Sequence, residues 1–394
     1  MERVAIVAAV RTPIGRFLGA FADVTAAELG VAATRAALER ARVPAEDIDE
    51  LIFGNARQAG GGPNPARQVL VKSGIPQERV AFTVNQACGS GLQAIILAAE
   101  HIRAGKSRFV VAGGTESMSR VPHLLDRART GYRLGNAALV DGMFRDGFLD
   151  PICGMLMGET AEKLVDQYKI GRNEQDLFAL ESQRRAGAAI KDNRFESEIA
   201  PVKVAGRKGE ERTITADEHP RADTTLQDLA KLPPVFREGG TVHAGNSSGI
   251  TDGAASLVLA AESAARERGL TPLAWIGESE VVGVDPSIMG IGPVPATRKL
   301  LARTQQKLED YDLVELNEAF AAQVLACDRE LHFDRGKLNV SGGAIALGHP
   351  IGCTGARIVT TLVHEMNRRK SKRGLATLCV SGGLGIALEI QGGS

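Results

Sequence analysis

VAFTVNQACGSGLQAIILAAEHIRAGKSRFVVAGG, Val80–Gly114, is the stretch on which the fold turns. Val80–Val84 is a short run with β-branched residues and reads as a strand. From about Ser90 to Ala104, residues Leu92, Ile95, Ile96, Ala99 and Ile102 form one stripe at helical spacing, and Gly105 stops the helix. Phe109–Gly114 is the next strand. Strands that alternate with helices imply a mostly parallel sheet. A cysteine, Cys88, stands where strand gives way to helix.

The same plan extends to both sides. Val4–Val10 and Leu51–Gly54 read as strands, and Thr25 with Glu28 forms a capping box ahead of a helix. In the C-terminal part, Tyr311–Leu316 is a strand and NEAFAAQVLACDREL a helix. KLNVSGG ends in glycines, and Ile358, Leu362, Val363 and Met366 give a helical stripe. LATLCVSGG and GIALEI are strands. A strand–glycine–helix unit with a cysteine near a glycine cluster thus occurs once in each half, which suggests a duplicated α/β domain. The stretch Ser119–Ser248 differs: it is charged and turn-rich, with one helix from near Gly158 and another capped by Asn173. It reads as a loop domain inserted over the α/β core, where a rigid scaffold displays binding loops. The expected division is residues 1–118 with 249–272, then 119–248, then 273–394.

At 394 residues the chain is long enough for two or three domains. Hydrophobic residues at 44% and charged residues at 24% fit a soluble globular protein. The 47 basic residues balance 47 acidic ones, so no net field favours nucleic acid or an anionic membrane. Aromatics at 4% are too few for a base-stacking surface. The N-terminus has neither a signal-peptide nor a transit-peptide pattern, no run has the length of a membrane span, and QGGS is no retention address. A cytoplasmic protein is expected. The five cysteines are odd in number, widely spaced and form no CxxC pair, so neither a disulfide framework nor a metal site is expected.

Four clusters carry chemistry. In NQACGSGL, Asn85–Leu92, Cys88 precedes a helix whose N-terminal partial charge would stabilise a thiolate and lower its pKa, and the Cys88 N–H can face an oxyanion. The alternative is a small buried cysteine at a tight turn. In GGAIALGHPIGCTGAR, Gly342–Arg357, His349 could take a proton from Cys88, or serve as a structural turn histidine. In LCVSGGLG, Cys379 could shuttle protons if it reached Cys88, or fill a buried strand. In ELNEAF, Asn317 could hold a water near an oxyanion, or cap a helix. No GxGxxG fingerprint accompanies them.

Together, and in this order, the clusters resemble the thiolase family. RTPIGRFLGAF, GNARQAGGGPNPARQ, GGTESMS and GNSSGITDGAA resemble further family segments, so the likeness runs from about Arg3 to Glu389. It implies duplicated α/β domains in α-β-α-β-α layers with an inserted loop domain. It also implies an acyltransferase: Claisen condensation of two acetyl-CoA to acetoacetyl-CoA and CoA, or thiolysis of a 3-ketoacyl-CoA. His349 would activate Cys88, which becomes acylated, and Cys379 would move the α-proton. One oxyanion hole would be His349 with a water on Asn317, and the other the backbone N–H groups of Cys88 and Ser381. Many members have Gly at the Ser381 position. Arg221, Ser248, Phe236, Met157, Met289 and Phe320 are the positions expected to receive coenzyme A, which is substrate and product; no cofactor is expected.

Two positions depart from the family pattern. Leu156 stands where short-chain members often carry His, and Asp228 where a small hydroxyl residue often contacts CoA. The runner-up function is a longer-chain 3-ketoacyl-CoA thiolase of fatty-acid β-oxidation. A ketoacyl synthase, which uses two histidines, and a non-catalytic acyl carrier are the remaining alternatives. The segment Val121–Asn136 has the length of the tetramerisation loop of tetrameric members, so a homotetramer is expected.

Overall fold

A computed structural model describes residues 2–206 and 210–393. Part of the charged stretch GRKGEERTITADEHPRAD and the final serine of QGGS lie outside the described residues. Nine strands build the main sheet, with a two-residue extension at Gly15–Arg16. In chain order they are β1 (Val4–Arg11), β2 (Glu50–Gly54), β3 (Val80–Val84), β4 (Phe109–Ser117) and β5 (Thr251–Ala261), then β6 (Ala274–Gly283), β7 (Leu313–Leu316), β8 (Arg373–Val380) and β9 (Leu384–Gly392). Seven longer helices are α1 (Ala26–Ala41), α2 (Ser90–Arg103), α3 (Met157–Tyr168), α4 (Arg172–Lys191), α5 (Pro293–Thr304), α6 (Ala321–Leu331) and α7 (Ile351–Arg369).

The spatial order β7-β8-β9-β6-β1-β5-β4-β2-β3 reveals the duplication. Counted outward from the antiparallel β1–β6 pair, the N-terminal half runs first, fifth, fourth, second strand and the C-terminal half first, fourth, third, second. The N-terminal half adds its third strand at the edge. The C-terminal half has there only a single parallel bridge, Val314 to Leu338. The sheet is mixed, which corrects the expectation of mostly parallel halves. The pairs β4–β2, β2–β3 and β7–β8 are parallel, and the rest antiparallel. The cause is connectivity. The chain leaves β4 into the insertion and returns on β5 from the opposite direction, and β8 turns into β9 across Ser381–Gly383.

The strands are apolar on both faces because both are covered: all eight residues of β1 and all eleven of β5 are buried. Helix α1 packs on β1 and β5 outside the N-terminal half, and α5 covers β6, β8 and β9 outside the C-terminal half. Between the halves lie α2 and α7, with α7 touching strands of both. Fifteen residues of α7 are buried, which suits the centre of an α-β-α-β-α stack. The insertion is held to the core by Arg11 at the end of β1, fully buried and paired with Glu198 (2.5 Å) and Asp217 (2.7 Å). Loss of either buried partner costs about 3–5 kcal/mol.

Local boundaries differ in two places. Gly171, not Asn173, is the N-cap of α4. Helix α6 begins at Ala321 after the cap residue Phe320, so Asn317 lies in the preceding loop and caps nothing.

Candidate active site

The four clusters meet where the parallel strands end. Cys88 follows β3, Asn317 follows β7, and Cys379 is the next-to-last residue of β8. His349 stands two residues before α7. Carboxyl ends of strands in α/β sheets are the usual place for ligands.

One pair of glycines brings Cys88 and His349 together. Helices α2 and α7 cross one turn from their N-termini, and the crossing has no room for side chains. A Cβ on Gly355 would stand 2.2 Å from Leu92 N, and one on Gly91 would stand 2.8 Å from Ala356 N. The tight turn ahead of α2 puts Ala87 at φ 44°, in the left-handed region that non-glycine residues rarely adopt. That turn aims Cys88 at the imidazole: Sγ lies 3.3 Å from His349 Nε2.

The histidine tautomer follows from its other nitrogen. Thr354 Oγ1 donates its one proton to Pro350 O (2.9 Å) and lies 2.6 Å from His349 Nδ1. The hydroxyl must therefore accept from Nδ1–H, which leaves the Nε2 lone pair facing the Cys88 thiol. Asn317 Nδ2 lies 3.5 Å from the same Nε2, and Asn317 Oδ1 is buried without a protein partner.

Burial dominates the electrostatics and overturns one expectation. It pushes the Cys88 thiol up from its ordinary value, outweighing the lowering effect of Arg57 and of the Ser381 and Cys88 N–H groups that face the sulfur. A helix N-terminus does not offset the desolvation of a thiolate here. Cys379 is pushed well above the ordinary range, by burial and by its neighbour Cys88. Burial, with Arg357 and Arg57 adding to it, drives His349 down to about 3. All three groups therefore rest uncharged.

Cys88, His349, Cys379 and Ser381 open into one cavity of about 690 Å3. Arg221, Ser248, Phe236, Met157, Met289 and Phe320 all line it. Met289, Phe320 and Cys379 share one apolar cluster, with Met157 and Phe236 packed against it, and the rings of Phe236 and Phe320 meet edge to face at 6.1 Å. Gly158 is required beside them, since a Cβ would lie 2.3 Å from the Phe236 ring. Arg221 is exposed at the rim. Leu156 gives the wall an apolar residue. The Asp228 carboxylate is engaged by Thr225 Oγ1 (2.6 Å) and Lys231 Nζ (3.2 Å). Asn317 does not line the cavity and reaches it through His349.

Sequence reading passed over Thr354, Arg57 and Glu116. A threonine in the first turn after the histidine was the available signal for Thr354. Arg57 and Glu116 lie in segments read only as family likeness. Among the described residues, no group of His, Cys, Asp and Glu could hold a metal ion, and no helix is long and apolar enough to cross a membrane.

Comparison with known proteins adds relatives to this geometry. The family profile described as thiolase, N-terminal domain, matches residues 4–263, and that described as thiolase, C-terminal domain, matches residues 270–392. The chain is 52% identical over 388 residues to an acetyl-CoA acetyltransferase of Chromobacterium violaceum, covering 98% of this chain and 99% of that one. It is 52% identical over 392 residues to one of Escherichia coli, covering 99% of each. Among solved structures, acetyl-CoA acetyltransferase of Bacillus anthracis superposes with TM-score 0.98 at 48% identity, covering 100% of this chain and 99% of that one. Human mitochondrial 3-ketoacyl-CoA thiolase in complex with CoA gives 0.96 at 44%, covering 100% and 98%.

Proposed function

The chain belongs to the thiolase family, and from that premise we propose that Cys88, His349 and Cys379 carry out acyl transfer between CoA thioesters. The enzyme is an acyltransferase, and its reaction is the reversible condensation of two acetyl-CoA to acetoacetyl-CoA and CoA. The observation that carries the assignment of roles is the 3.3 Å contact from Cys88 Sγ to His349 Nε2, in a cavity that Cys379 shares.

The steps balance as follows. His349 Nε2 takes the Cys88 proton while the sulfur attacks the thioester carbon. The carbonyl oxygen gains charge where the Cys88 and Ser381 N–H groups converge. Departing CoA thiolate takes the Cys379 proton, leaving acyl-Cys88, a Cys379 thiolate and an imidazolium. Cys379 then removes the α-proton of a second acetyl-CoA. The enolate oxygen is stabilised by the imidazolium N–H and by a water that Asn317 would hold. The carbanion attacks acyl-Cys88, the product leaves, and the freed Cys88 thiolate recovers its proton from His349. Every proton and acyl group moves between substrate and side chains, so the proposed reaction needs no cofactor.

Coenzyme A would thread the tunnel past Met157, Phe236, Met289, Phe320 and Ser248, with Arg221 at the phosphate end. A longer-chain β-oxidation role is not favoured, since relatives near 50% identity are named acetyl-CoA acetyltransferases. Cytoplasmic residence is our reading; five unpaired cysteines suit a reducing compartment. A homotetramer is supported by the exposed apolar side chains Leu125, Tyr132, Leu134 and Leu139. Light scattering that gave a monomer or dimer mass would remove it. For the chemistry, incubation with acetyl-CoA should add one acetyl group to Cys88 by peptide mass spectrometry. An unlabelled Cys88 would refute the proposal and favour a non-catalytic carrier.

A further inference from the structure

The acyl-transfer steps leave one charged group in the cavity without a task. Arg57 follows β2, is 9% exposed and lines the same cavity as Cys88. Its guanidinium makes no hydrogen bond or ion pair to any described residue, and its Nε is sealed from solvent without an acceptor. Glu116, whose charge it feels, cannot serve. Both Glu116 oxygens are taken by four N–H donors: Asn55 Nδ2 (2.7 Å) and the backbone of Ala56 (3.1 Å), Arg57 (3.0 Å) and Gly352 (2.8 Å). A buried donor without an acceptor is costly, so an arrangement that leaves Nε unpaired and the rest of the guanidinium open to the cavity is built for something that arrives.

The seat is shaped for this side chain. A Cβ on Gly147 would come within 2.6 Å of Arg57 Nε and displace the guanidinium from this position. The place is the acyl end of the cavity. Phe148, Ile250 and Ile351 pack around Cys88 there, whereas the exposed Arg221 stands at the rim. An acetyl group has one oxygen, and the Cys88 and Ser381 N–H groups receive it. An acceptor that meets Arg57 must therefore sit farther along a longer acyl group. The planar fork of a guanidinium matches a carboxylate with two parallel hydrogen bonds.

We propose that Arg57 gives this site a second class of substrate: acyl-CoA thioesters whose acyl chain ends in a carboxylate, which the guanidinium holds while Cys88 attacks the thioester or ketone carbon. The inference rests on the thiolase reading above. The bonds are those of ordinary thiolysis. The C2–C3 bond of the 3-ketoacyl-CoA breaks, a C–S bond forms to CoA, and the thiol proton of CoA ends on the released acetyl-CoA. The far carboxylate is unchanged.

The test compares thiolysis of 3-oxoadipyl-CoA and 3-oxohexanoyl-CoA by the full-length enzyme. The two have the same carbon count and differ at the far end, a carboxylate against a methyl. Acetoacetyl-CoA is the third substrate. The wild type should favour the carboxylate-ended substrate in kcat/KM by about 10- to 100-fold, the range for a charge-assisted hydrogen bond. Arg57→Met should erase that ratio, and Arg57→Lys should keep part of it. A wild type that turns over acetoacetyl-CoA but favours the methyl-ended chain overturns the inference alone, whatever the variants do. An Arg57→Met ratio equal to that of the wild type does the same. A wild type that thiolyses none of the three sinks the thiolase reading itself, and this inference with it.

Discussion

Gly355→Ala separates two physical effects of opposite sign. Gly355 lies inside α7, where alanine in place of glycine favours a helix by about 1 kcal/mol. The tertiary structure argues the reverse. The new Cβ would stand 2.2 Å from Leu92 N, 2.7 Å from Leu92 Cβ and 2.9 Å from Leu92 Cα. Two of these atoms are backbone, so no side-chain rotation relieves the clash. The helices must part by about 1 Å, and overpacking of this kind costs about 1–3 kcal/mol. Cys88 and His349 flank the N-termini of these helices, so the same movement takes the 3.3 Å thiol–imidazole contact out of hydrogen-bonding range. A misplacement of about 1 Å between reacting groups costs about 100-fold in rate. The assays are thermal unfolding by circular dichroism and kcat for acetoacetyl-CoA thiolysis. The expected result is a lower Tm with kcat down about 100-fold. A raised Tm with unchanged kcat would show that the helix crossing does not position the site.

Four further outcomes follow from the site. Thr354→Val leaves the His349 Nδ1–H without its acceptor and frees the ring to take the tautomer with Nε2–H towards Cys88, so kcat/KM should fall about 10-fold or more; an unchanged value would refute the tautomer assignment. Cys379→Ala should lower acetoacetyl-CoA thiolysis by about 10²–10⁴-fold. Acetylation of Cys88 by p-nitrophenyl acetate should survive in it, because that leaving group departs as a stable anion; loss of both would give Cys379 a structural role. Since His349 titrates near 3, its base form is complete well below neutrality, so kcat/KM should show no descending limb as pH falls from 8 to 5. A limb near 6.5 would mean a solvated imidazole. Over the same range the alkylation of Cys88 by iodoacetamide should stay slow and climb only above the ordinary thiol range, because burial raises its pKa.

Local sequence determined much of this. The apolar runs of β1, β2 and β4, the capping box at Thr25 and Glu28, and the stripe along α2 are local signals, and they give the α/β class. Residue types beside glycine clusters, Cys88, His349 and Cys379, carry the chemical signal in the sequence. Strand direction was not legible. Periodicity records which faces are buried, but not from which side a chain returns after an insertion of more than a hundred residues, so the antiparallel pairing of β5 with β4 and β1 has no local signal. Nor was the state of Cys88. A helix terminus can be read from sequence, whereas the desolvation that outweighs it depends on Phe148, Ile250 and Ile351, which are far apart in the chain. The glycines at 91 and 355 carry no local mark of their role. Only the crossing of two helices from opposite halves makes them the contact that sets the distance between sulfur and imidazole, because close approach is a property of two backbones and neither sequence segment contains the other.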